Sequence, residues 1–130
     1  MNKEPGGLRY DEGKLEWHLL PMHLLGGMIR VLMRGKIKYA EHNWRKGHKY
    51  SRITNSLQRH LNAFQSGEDV DPETGLPHVD HILCNALFLS GAIREHPELD
   101  DRFRHDRIDP STIPVPGLRG NNPYLDDPNE

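Results

Sequence analysis

Nine histidines are many for a chain of 130 residues, and three of them fall where they could share one small ion. His78 and His81 are three apart, with Asn85 four further on, a spacing that puts them on one face of a helix. His60 lies upstream, three after Leu57 and four before Phe64, on the apolar stripe Ile53, Leu57, Leu61 and Phe64. It therefore points inward, and a helix–loop–helix hairpin brings it toward His78 and His81. Asp69 and Asp71 lie in the connecting segment and could add an oxygen ligand. Three imidazoles with water or a carboxylate suit zinc, manganese, iron or nickel, and suit magnesium poorly. The competing reading is of buried histidines satisfied by hydrogen bonds, or of helix-start residues facing solvent.

Basic and aromatic residues crowd the same stretch. Arg52 and Arg59 are seven apart and share a helix face beside the His60 stripe, with Lys36, Lys38, Arg45, Lys46 and Lys49 just upstream. Guanidinium forks match phosphate oxygens in bidentate fashion, and lysine adds a point charge. Trp44 and Tyr39 could stack on a base, and Asn43 and Asn85 could read base edges. Each of these residues also has a bland reading, as part of a solvated charged face or, for Trp44, of the core. Their combination in one hairpin points to a nucleotide. No phosphate-cradling glycine loop, dinucleotide-binding glycine pattern, nucleophile-elbow serine or paired-cysteine motif occurs.

The elements that must position these groups are helical. Residues 17–34 carry Leu20, Leu24, Met28, Val31 and Leu32 at helix spacing, with Pro21 suited to a first turn. Gly26-Gly27 weakens such a helix but lets another approach closely. A short continuation is expected over 36–42 after Gly35, then a loop from Asn43 to Lys49 pivoting on Gly47. A second helix spans 51–66 and stops at Gly67. Residues 68–75 form an acidic turn-rich loop, and a third helix runs from Pro77 to Glu95, apolar nearly all round and so central. The expected fold is all-α: a small helical bundle built on a central hairpin, with an extended N-terminal arm over 1–16 and a Pro-rich C-terminal tail. Residues 1–97 are expected to form the nucleotide-handling domain, and 98–130 the tail.

Composition bounds the rest. The chain fits one domain that needs no disulfide, and its single cysteine, Cys84, sits in an apolar run where it reads as a small buried hydrophobe. No apolar stretch approaches the roughly 20 residues that span a bilayer, and the N-terminus lacks a signal-peptide core. A net charge of −2 does not steer the molecule to long nucleic acid, whereas the locally basic stretch from Arg30 to Arg59 suits a small anion. Three helices leave apolar faces uncovered, so a homo-oligomer is expected.

Several motifs together resemble a known family. They are Tyr10-Asp11-Glu12-Gly13-Lys14 with Trp17 to Pro21; Lys38-Tyr39 with Asn43-Trp44 and Gly47; Arg59-His60-Leu61; Gly67-Glu68-Asp69 with Asp71; Gly75-Leu76-Pro77-His78; and His81 with Asn85 to Leu89. In order and spacing they are similar, over roughly residues 8–93, to the dATP/dGTP diphosphohydrolase N-terminal family common in phage genomes. The resemblance implies an all-helical protein that handles purine deoxynucleotides in the cytoplasm of an infected bacterium, and it adds Lys14 as a residue reaching in from the arm. Longer proteins with this label also carry a MazG-like domain, whose helices hold magnesium with paired carboxylates. Here Arg59-His60 and His78-Val79-Asp80-His81 stand at the similarly placed helix starts. Either the metal differs or the chemistry is lost.

Two functions follow. In the first, a divalent metal on His60, His78 and His81 activates water against a nucleotide phosphate. Asp80 or Asp71 then serves as ligand or general base, and Lys38, Lys49, Arg52 and Arg59 offset phosphoryl charge. In the second, the same pocket sequesters a nucleotide immune signal without chemistry.

Overall fold

The computed structural model describes residues 5–104, and all of its regular structure is helical. The three α-helices are α1 (Gly26–Lys38), α2 (Tyr50–Gln65) and α3 (His78–Glu95), with short 3-10 turns at Trp17–Leu19, Met22–Leu25, Asn43–Lys46 and Pro97–Leu99. Residues 5–16 are exposed and without regular structure, as expected of the arm. The Pro-rich stretch from 105 onward lies outside the described residues.

The hairpin of α2 and α3 is the frame. At its closed end the rings of His60 and His78 meet; at the far end the Tyr50 hydroxyl donates to the Ala92 carbonyl at 3.2 Å, so the two helices run antiparallel. Ser66 caps α2, and Gly67, at φ 100°, sends its N–H to the Phe64 carbonyl at 3.0 Å, a left-handed stop that glycine takes without strain. The connector then folds on itself. The Asp71 N–H donates to the Leu76 carbonyl, Gly75 N–H to the Asp71 carbonyl, and the Asp71 carboxylate accepts the Glu73 N–H at 3.1 Å. An aspartate followed by proline and a later glycine makes such a self-bonded turn.

The first helix departs from expectation. No single helix spans 17–34, because Pro21 disfavours helical backbone at Leu20, which is extended at φ −95°, ψ 112°. The α-helix begins only at Gly26 and continues through Gly35 to Lys38. Gly27 touches α3: a methyl built there would overlap the Asp80 carboxylate. Further along the chain, Lys38 pairs with Glu73 of the connector at 3.3 Å.

Among the described residues, buried apolar side chains are few: Tyr50, Ile53, Cys84 and Ala92. Phe88, Leu89 and Leu99 pack against them from the edge. Phe64, at the last turn of the expected stripe, is 42% exposed. Ile29, Met33 and Ile37 of α1, and Val79, Leu83 and Leu87 of α3, form two exposed stripes at helix spacing. Burial pushes the Cys84 thiol up to about 12, which makes it an inert core residue, as expected.

Residues 98–101, expected to belong to the tail, pack back onto the bundle. Leu99 enters the core edge, the His96 ring contacts the Arg45 carbonyl at 2.9 Å, and Asp101 accepts the Ser51 N–H at 2.9 Å and its hydroxyl, capping α2 from a distance. Gly47 allows this closure. It sits at φ 90°, ψ 151°, and a Cβ there would lie 2.8 Å from Leu99 Cδ1 and 2.9 Å from the His96 ring. Gly47→Ala is therefore expected to destabilise the chain by about 2 kcal/mol or more. Gly35→Ala, in helical backbone with open space around it, is expected to stabilise by roughly 0.5–1 kcal/mol. Denaturant midpoints check both, and equal effects at the two glycines would contradict this account.

Candidate functional site

The connector and hairpin bring imidazoles and a carboxylate to one point. His60 Nδ1 lies 2.9 Å from His78 Nδ1, and the His60 ring stacks flat on His81, with centroids 4.3 Å apart and planes 2° from parallel. His81 Nε2 is 2.7 Å from the Thr74 hydroxyl and 3.6 Å from Asp71 Oδ2, and that hydroxyl also contacts Asp71 at 3.2 Å. His78 is buried, with Nε2 on Glu68 at 2.7 Å.

The electrostatics keep the two stacked rings neutral near pH 7. Burial holds His60 below its ordinary 6.5, and the neighbouring His81 adds to that, while Asp71 pulls the other way. Burial likewise lowers His81 against the pull of Asp71. For Asp71, burial works upward, but the Glu73 N–H and the Thr74 hydroxyl outweigh it, and the carboxyl falls below its ordinary 3.8. The site thus presents neutral imidazoles and an ionised carboxylate, the forms that bind cations.

Ligand atoms of His60, Asp71 and His81 all lie within 4.8 Å of one another. Two imidazoles and one carboxylate form a donor set suited to iron(II), manganese or zinc, with positions left open for water and substrate. Ligand atoms around such a cation stand about 3.0–3.5 Å apart, so some gaps must close by up to roughly 1.5 Å on binding. The residues fit a cation, but the set differs from the three histidines expected. Both ring nitrogens of His78 are taken by His60 and Glu68, and Asp71 stands in its place.

Around this point opens a cleft of about 960 Å³ between α1 and the hairpin, at the upper end of the size of small-molecule sites. Arg52 and Arg59 line it, and among the described residues neither pairs with a carboxylate. Lys38 lines it too, bound to Glu73. Asn43 and Trp44 lie on its wall, Trp44 stacked on Phe88 at 4.8 Å. Asn85 spends its amide N–H groups on the His81 carbonyl and Ser56, which leaves its oxygen as an acceptor on the wall. Three expected residues are not brought there. Lys14 is held in an exposed turn of the arm, Lys49 precedes α2 outside the cleft, and Asp80 packs on the first turn of α1. Thr74 and Glu68, which contact His81 and His78, carry no spacing signal of their own within the acidic, turn-rich connector.

Residues 4–102 match the family described as dATP/dGTP diphosphohydrolase, N-terminal. The chain belongs to that family. The match runs past Pro97 and takes in the residues that close onto α2. A dATP/dGTP diphosphohydrolase of Salmonella phage PMBT28 is 32% identical over 96 residues, which cover 74% of this chain and 33% of that protein. This family member therefore spans about a third of the length of its curated relative. No solved structure matches it.

The lowered histidines imply a pH dependence. A pKa depressed on folding favours the neutral ring in the native state. That stability is fully present above 6.5 and is lost as pH falls through the lower native value. His96 works in the opposite sense, raised mainly by its bond to the Arg45 carbonyl. The buried pair is expected to dominate, so metal-free protein should have a lower urea midpoint at pH 5 than at pH 7.5. His60→Asn should flatten that slope; a midpoint that rises toward acid would contradict the neutral pair.

Proposed function

We propose that the chain binds a purine deoxynucleotide in the cleft between α1 and the hairpin and hydrolyses its phosphates with a divalent cation held by His60, Asp71 and His81. The observation that carries this reading is the convergence of a neutral-imidazole and carboxylate cluster with two unpaired guanidinium groups in one cleft of nucleotide size. The activity in the name of the phage relative supports the substrate class.

A bound cation supplies Lewis acidity toward water and phosphate there. The chain's own residues do the rest. Arg52 and Arg59 hold the phosphates and offset charge that builds on their oxygens. Asp71 serves as a ligand, Trp44 and Asn43 form the wall for the base, and the Asn85 oxygen accepts from a base or sugar donor. Asp80 faces α1, so this reading gives it no part at the reacting phosphate.

A second reading is favoured by one observation. With Asp80 turned away, Asp71 is the one carboxylate in the group His60, Asp71 and His81, and a cation held by a single carboxylate leaves room for a site that holds a nucleotide signal without cleaving it. Mass spectrometry of nucleotide recovered from the protein separates the two: a cleaved product supports hydrolysis, and intact ligand bound without metal supports sequestration.

We also propose that a second copy covers the exposed stripe Val79, Leu83 and Leu87 of α3, which lies outside the cleft, and that the protein works in the host cytoplasm, where its nucleotides are. No helix among the described residues is long and apolar enough to cross a membrane.

Purified protein with manganese or zinc is expected to turn over dGTP or dATP. Asp71→Asn should abolish turnover, and Arg59→Ala should lower kcat/KM by about 10²-fold. Lys49→Ala, outside the cleft, should leave it unchanged. Absence of turnover across a metal and nucleotide panel would remove the hydrolase. Light scattering at micromolar concentration should give a dimer or larger, and a monomer there would remove the second copy.

A further inference from the structure

Behind the cation group, two hydrogen bonds run in series through a buried ring. His78 is 4% exposed, with Nε2 at 2.7 Å from Glu68 Oε1 and Nδ1 at 2.9 Å from His60 Nδ1. For neutral rings these contacts admit one arrangement of protons. An ionised carboxylate only accepts, so the His78 proton sits on Nε2. His78 Nδ1 is then a lone pair, and His60 donates its Nδ1–H to it. The reverse arrangement would set the Nε2 lone pair of His78 against a carboxylate oxygen. With the His60 proton held on Nδ1, the nitrogen left to act is Nε2.

We infer that Glu68 and His78 are positioning residues, which lock His60 in the Nδ1–H tautomer and so offer its Nε2 lone pair to a divalent cation or a proton in the cleft. Neither residue is needed as a ligand for this. Glu68 is half-exposed on the connector, at 51%, so it can carry a substitution without loss of core packing. The same pattern explains why a ring as buried as His78 sits beside the ligand group rather than in it: its two nitrogens transmit the orientation of Glu68 to His60. Outer partners of this kind tune cation affinity by about 10–100-fold. The affinity part of the inference rests on the cation reading above; the tautomer part does not.

The full chain labelled with nitrogen-15 histidine decides the tautomer. At pH 8 without added metal, a long-range proton–nitrogen spectrum should show His60 protonated at Nδ1 and bare at Nε2, and His78 the reverse. In Glu68→Gln the amide can also donate to His78, so His60 should shift toward a mixture of tautomers. Zinc titrated calorimetrically into that variant should bind about 10–100-fold more weakly, with the thermal midpoint little changed and partial recovery in Glu68→Asp. Two results would overturn the inference: wild-type His60 carrying its proton on Nε2, as it would opposite a doubly protonated His78, or a Glu68→Gln protein with unaltered tautomer and zinc affinity. If wild type binds no zinc, the cation reading falls, and the nitrogen spectrum alone decides the relay.

Discussion

Three imidazoles brought together by two helices, His78 and His81 buried on the first turn of α3 and His60 half-buried on α2, constrain everything around them. Each ring carries a nitrogen that must donate and one that must accept, and an unmet group there costs about 1–3 kcal/mol. Stacking of His60 on His81 at 4.3 Å works only while neither ring gains a charge opposed by its neighbour. The partners come from the connector: Glu68 for His78, Thr74 and Asp71 for His81. A loop that would otherwise be free to vary is thereby held, by its own turn at Asp71 and by the rings beneath it. The start of α3 and the end of α2 cannot separate without stranding these nitrogens.

This polar closure matters more because the apolar core is thin. Tyr50, Ile53, Cys84 and Ala92 bury one end of the hairpin, and the histidines close the other. Between the two lies the cleft, walled on its other side by α1, which meets α3 at Gly27 and the connector through the Lys38–Glu73 pair. A helix held in that way leaves room for a ligand of nucleotide size. It also leaves Ile29, Met33 and Ile37 exposed, the first two on the wall of that cleft.

The sequence made the hairpin legible because its signals agree. The α2 stripe, the stop at Gly67, the turn residues at Asp71 to Gly75 and the His78–His81–Asn85 spacing all describe one folding-back. The inward aim of His60 was legible for the same reason. The first helix was not, since periodicity through Leu20 and Leu24 cannot weigh the backbone restriction that Pro21 imposes on Leu20. Nor was the exchange of His78 for Asp71 in the cation group. Spacing tells which face a residue takes, but not that a carboxylate ten residues earlier and a histidine of the preceding helix will each engage one nitrogen of a ring. Lys49 and Asp80 are suggested by charge and proximity in sequence, and Lys14 by the family motif, and none of these says which way a side chain turns.

The proposed hydrolysis depends on a cation held by His60, Asp71 and His81. Anomalous diffraction from crystals soaked in manganese tests that most directly. A single peak bounded by His60 Nε2, an Asp71 oxygen and a His81 nitrogen, with His78 still on Glu68, is the predicted result. A peak ligated by His78, or none at the hairpin's closed end at saturating manganese, would contradict it.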